Sequence, residues 1–171
     1  MLTLRLLGNI ILIIILVLLQ SFLFSKLNFN QIATPYIYVL FILLYPANQN
    51  RYLFLILCFL LGWGVDIFED TGGIHAFACL TIGFLSKYII RMVSGTKFFE
   101  LEEFRYSDFS VGQWIIYTFL MVFIHHFLLF FVESLSFANF GGIMIRTISS
   151  VGFTLLFAYF YLILFRKRAE R

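Results

Sequence analysis

The residues best equipped for chemistry stand within 62–75, where Asp66, Glu69, Asp70 and His75 gather among Gly62, Gly64, Gly72 and Gly73 between two long apolar runs. A carboxylate bordering hydrocarbon is costly, so function is sought here first. An Asp–His pair at this spacing suits proton transfer or cation binding. It also suits a structural role, in which Asp66 accepts hydrogen bonds from backbone groups at the Gly72-Gly73 turn and at the following helix N-terminus. Exposed N–H groups and the helix dipole favour an anion there. This second reading explains the carboxylate without a ligand, and His75 is near enough in sequence to donate to Asp66 or Glu69.

A second polar group comprises His125, His126 and Glu133, followed by Arg146, Ser149, Ser150 and Thr154. His126 precedes Glu133 by seven residues and so shares nearly the same helical face. Antiparallel helices joined across 134–142 would bring Glu133 and Arg146 to similar depth. An ion pair that offsets the cost of burying either charge is expected, with a transport or anion site as the sharper alternative. Metal binding is disfavoured, because adjacent histidines project about 100° apart on a helix and do not face one ion easily.

The sequence contains no His-Glu-x-x-His, Gly-x-Ser-x-Gly or nucleotide-binding glycine motif. Glu102-Glu103-Phe104-Arg105 has an arginine at the wrong spacing for the Glu-Glu-x-x-x-Arg pattern of membrane proteases. The chain is therefore not expected to be an enzyme, and no cofactor is implied.

These side chains must be positioned by helices in lipid. Of the 171 residues, 62% are hydrophobic, 20% aromatic and only 12% charged, with mean hydropathy +0.98. That composition exceeds the needs of a soluble core. Apolar blocks near 6–24, 35–46, 52–68, 74–92, 113–132 and 143–165 predict about six transmembrane helices in one domain spanning 1–171. Block 6–24 is long for a signal-peptide core and has no small-x-small cleavage pattern, so it is read as a retained helix. Block 35–46 is short for a crossing; Ile32, Ala33, Tyr36 and Tyr38 are expected to extend and anchor a tilted helix.

With both termini cytoplasmic, ten basic residues lie inside and only Lys26 and Arg146 outside. Arg166, Lys167, Arg168 and Arg171 then read as an anchor facing anionic lipid rather than a nucleic-acid surface. Discarding the second span leaves the tally unchanged, so the charge bias places the C-terminus more firmly than the N-terminus.

Two small-residue faces should pack helices together. Cys58, Gly62, Asp66 and Glu69 share one face of the third span, while Gly72, Ala76, Cys79, Gly83 and Ser86 continue down the fourth. The two cysteines are read as packing residues. The loop 93–112, with Lys97, Glu100, Glu102, Glu103, Arg105 and Asp108 among aromatic residues, reads equally as a short amphipathic helix at the membrane surface or as a solvated loop.

Pro35-Tyr36-Ile37-Tyr38-Val39-Leu40-Phe41, Gly62-Trp63-Gly64-Val65-Asp66-Ile67-Phe68 and Gly73-Ile74-His75-Ala76 together resemble the second-to-fourth helix region of the MreD family of bacterial rod-shape-determining proteins. His125-His126, Glu133, Ser136-Phe137-Ala138-Asn139-Phe140 and Arg146 resemble its Bacteroidetes branch. The likeness extends over essentially the whole chain. It implies an all-α integral membrane bundle similar to the substrate-binding components of energy-coupling-factor transporters.

It also implies a non-catalytic scaffold in the bacterial cytoplasmic (inner) membrane. Its expected partner is a bitopic MreC-like protein, linked indirectly to an MreB-like filament and to the peptidoglycan polymerase and transpeptidase. Gly62, Asp66, Glu69, Gly73, His75, His126, Glu133 and Arg146 are the structural or interaction candidates. The alternative is a small-molecule-binding or transport subunit, with an outward cavity lined by Asp66, His75, His126 and Arg146.

Overall fold

The computed structural model describes residues 2–27, 33–47, 49–95, 109–135 and 139–165. The proposed surface helix within 93–112, apart from its described ends, and the basic cluster Arg166–Arg171 lie outside them. Regular structure among the described residues is almost entirely helical: α1 (Leu2–Leu19, continued by a π-helical turn at Gln20–Phe24), α2 (Val39–Leu44), α3 (Arg51–Glu69), α4 (Ile74–Ser94), α5 (Val111–Ser134) and α6 (Phe140–Phe165). Among the described residues, five helices are long and apolar enough to cross a membrane, giving an all-α, multi-pass bundle.

The ends of these helices follow local chemistry. Asn50 caps α3 by accepting from the Tyr52 and Leu53 N–H groups at 2.9 and 3.1 Å. Ser110 and Gln113 form a reciprocal capping box at the start of α5. Between α3 and α4 the chain reverses through Asp70, Gly72 and Gly73, all at positive φ. The two glycines adopt this left-handed backbone without a Cβ clash, making the short hairpin attainable.

The helices pack in chain order, α3 on α4, α4 on α5 and α5 on α6, while α1 leans on α3. The small residues set the α3–α4 contact. At Gly62 an added Cβ would stand 2.5 Å from Ala76 Cα, and at Gly83 it would stand 2.7 Å from Cys58 Sγ. Helices approach this closely only where side chains nearly vanish.

The second apolar block departs from the expected tilted helix. Only Val39–Leu44 is α-helical, although residues 33–47 still traverse the bundle. Phe22 at the end of α1 meets Phe68 at the end of α3, with ring centroids 5.6 Å apart. Tyr45 beyond α2 instead stacks on Phe54 near the start of α3 at 4.5 Å. The segment therefore runs antiparallel to α3, and the start of α1 and end of α6 lie at the same end of the bundle.

Pro35 explains part of the difference, since it lacks an N–H and disfavours a helical Thr34. Nor do Tyr36 and Tyr38 anchor the segment in an interface; they are buried at 7% and 0% exposure. Non-helical backbone is tolerated at membrane depth when protein surrounds it and satisfies its polar groups.

Candidate functional site

Polar side chains from the end of α1 and from α6 supply that satisfaction. Gln20 accepts from the Ile37 N–H at 3.0 Å and donates to the Pro35 carbonyl at 3.2 Å. Ser150 accepts from Thr34 N–H at 3.1 Å, and Thr154 accepts from Tyr36 N–H at 3.0 Å. One lone amide and one serine–threonine stripe thus replace the missing helical hydrogen bonds.

Thr154 also meets His126 Nε2 at 3.0 Å, while His126 Nδ1 lies 2.7 Å from the Val122 carbonyl. A carbonyl can only accept, so Nδ1 carries hydrogen and neutral His126 accepts from Thr154 through Nε2. The chain from Tyr36 N–H through Thr154 to His126 and Val122 pairs every participating group. It uses the histidine as a brace.

Thr154→Val should leave both the Tyr36 N–H and His126 Nε2 without their partner at almost unchanged volume. The expected loss is about 1–3 kcal/mol, measurable by reversible unfolding in detergent or bilayers.

His125 points elsewhere despite its adjacency to His126. Its Nε2 lies 3.0 Å from the Tyr38 hydroxyl and 3.9 Å from Cys79 Sγ, while Nδ1 has no hydrogen-bond partner. Tyr36 fills the space between the histidines, with its ring centroid 5.8 Å from His75 and 5.1 Å from His126. Among the described residues, no cluster of three His, Cys, Asp or Glu residues is arranged to hold a metal.

Near the α3–α4 turn, Asp66 accepts from His75 N–H at 3.0 Å and Ala76 N–H at 2.8 Å. Thr71 donates its hydroxyl hydrogen to Asp66 Oδ1, and His75 Nδ1 lies 3.0 Å from the same oxygen. The carboxylate therefore ties together the end of α3, the turn and the first residues of α4. Gly73 precedes α4 in the left-handed region and lets His75 and Ala76 direct their N–H groups at Asp66.

Glu69 stands beside this knot, with Oε2 3.8 Å from His75 Nε2, whereas Asp70 is exposed. Arg146 and Glu133 meet at 2.9 Å on the partly exposed outer part of α5 and α6. The Arg146 guanidinium also lies 4.4 Å from the Phe130 ring centre. Their side chains are 39% and 44% exposed, so Glu133→Gln is expected to change stability by only about 0–1 kcal/mol. A denaturant titration beside Thr154→Val would separate this weak clamp from the buried one.

The sequence candidates therefore fall in three places. Gly62, Asp66, Glu69, Gly73 and His75 converge at the α3–α4 hairpin; Glu133 and Arg146 form a separate pair, and His126 braces residues 33–38. Gln20 and Thr71 were not singled out by pattern, although a solitary glutamine in an otherwise apolar run is a usable signal. On the bundle exterior, α1 and α3 enclose an apolar groove of about 330 Å³, lined in part by Ile10, Ile14, Val17, Trp63, Gly64 and Phe68.

Compared with models of known families, with curated proteins and with solved structures, the chain matches none.

Proposed function

We propose that this chain is a non-catalytic, MreD-like scaffold of the cell-elongation complex in the bacterial cytoplasmic membrane. It binds a bitopic MreC-like protein and helps couple an MreB-like filament to the peptidoglycan polymerase and transpeptidase. The motif order described above supports the family assignment.

The observation carrying the scaffold reading is the use of buried polar groups to hold residues 33–38. The two tyrosines and the backbone fill the space in which a transported molecule would otherwise meet His75 and His126. This arrangement counts against the small-molecule transport alternative.

Arg5, Arg51, Lys87 and Arg91 lie toward the opposite end of the bundle from Lys26 and Arg146. The positive-inside tendency assigns the former end, with both chain termini, to the cytoplasm. The α3–α4 hairpin then faces the extracytoplasmic side, and the groove between α1 and α3 offers an apolar surface to a partner's single transmembrane helix.

Photocrosslinkers introduced at Ile14 and Ile67, both exposed on this surface, test the reading in native membranes. The expected product is a discrete adduct with the MreC-like protein, identified by mass. Adducts confined to lipid in cells producing both proteins would reject this partner assignment.

A further inference from the structure

The Asp66–His75–Glu69 arrangement has a hydrogen deficit. His75 Nδ1 is 3.0 Å from both Asp66 Oδ1 and Thr71 Oγ1. The carboxylate can only accept, and Thr71 directs its hydrogen to Asp66. The hydrogen in the His75–Asp66 contact therefore belongs to Nδ1. A neutral imidazole with Nδ1–H has only a lone pair at Nε2.

That nitrogen faces Glu69 Oε2 at 3.8 Å, and neither Nε2 nor Glu69 Oε1 has a hydrogen-bond partner. His75 is 2% exposed, so bulk water cannot readily offset the opposition of two acceptors. Buried polar atoms of this kind ordinarily require a donor.

The surrounding groups do not supply one to Nε2. Asp66 and Thr71 occupy the Nδ1 side. Tyr36 and Tyr38 approach His75 through their rings, and the Tyr38 hydroxyl engages His125. His126 is bonded to Val122 and Thr154. Ser25 and Lys26 approach Glu69 from the end of α1, while Glu133 and Arg146 are paired across α5 and α6.

We propose a proton-binding site between His75 Nε2 and the Glu69 carboxyl. The bound proton makes Asp66–His75–Glu69 a carboxylate–imidazole–carboxylate relay. Its occupied form has one negative charge rather than the two of a neutral imidazole between ionised acids. The proton bonds to either Nε2 or a Glu69 oxygen, and its donation to the other group draws the pair in from 3.8 Å to hydrogen-bond distance. No covalent bond between heavy atoms changes, and the site is independent of the scaffold assignment.

The direct test is nitrogen and carbon NMR of the full chain in lipid nanodiscs at neutral pH, with labelled histidine and glutamate. The expected spectrum contains either hydrogen on both His75 ring nitrogens or a protonated Glu69 carboxyl beside Nε2. In Glu69→Gln the carboxamide N–H supplies the donor, so Nε2 should move to a hydrogen-bonded lone-pair signal without the extra proton. Bare Nε2 beside ionised Glu69 in the wild-type protein, including a pair bridged by water, would overturn the proposal. The wild-type spectrum decides the matter even if the variant does not fold.

Discussion

Replacement of Asp66 by alanine is expected to destabilise the bundle by about 3–5 kcal/mol, the scale for removing one partner from a buried, charge-assisted cluster. The carboxylate is 6% exposed and receives the His75 and Ala76 N–H groups, the Thr71 hydroxyl and His75 Nδ1–H. Alanine leaves all four without their common acceptor and opens a small void. Asp66→Asn retains one acceptor oxygen but turns an amide toward other donors, so its loss should be smaller yet still exceed about 1 kcal/mol. Equilibrium unfolding in a fixed detergent, alongside membrane accumulation, tests this order. A stable Asp66→Ala protein would refute its role as the hairpin tie.

Gly62→Val is expected to damage the same interface through sterics. The glycine faces the backbone of α4, where even a first Cβ would stand 2.5 Å from Ala76 Cα. Backbone cannot swing aside as a side chain does, so α3 and α4 must separate. Overpacking commonly costs about 1–3 kcal/mol, and separation of α3 and α4 would also disturb the Asp66 bonds beside it. The expected total therefore lies at or above the upper end of that range.

Gly152→Ala provides a contrast, because no heavy atom lies within 4 Å of its added Cβ. Its expected change is neutral or stabilising by up to about 1 kcal/mol. Thermal melts of both variants in the same lipid would distinguish close helix approach from general intolerance of glycine replacement.

The long helices were legible because apolar blocks of spanning length have few soluble alternatives. The Asp66–His75 hairpin and Glu133–Arg146 pair were legible because a short loop returns nearby polar residues to similar depth. Residues 33–47 were harder to read. Their apolar run suggests a helix, but their conformation depends on Gln20, Ser150 and Thr154, the latter two more than one hundred residues away in sequence. Hydropathy records lipid compatibility rather than the source of backbone hydrogen bonds. Tyr36 and Tyr38 consequently resemble interfacial anchors in sequence but fill the bundle centre in the fold.

These contacts distinguish two uses of intramembrane polarity. Asp66, His126 and Thr154 hold the α3–α4 hairpin and an irregular crossing in place, while exposed apolar surfaces remain for lipid or another helix. The proposed scaffold role joins those observations: an internally braced bundle presents its exterior to the wall-building machinery.

The most direct test of that role is controlled depletion of this protein in its native cell, with shape and sites of new peptidoglycan recorded by microscopy. The expected result is loss of rod shape and dispersed lateral wall synthesis, both restored by the wild-type chain. Unchanged shape and wall insertion after complete depletion, with impaired uptake of a small molecule instead, would contradict the scaffold account.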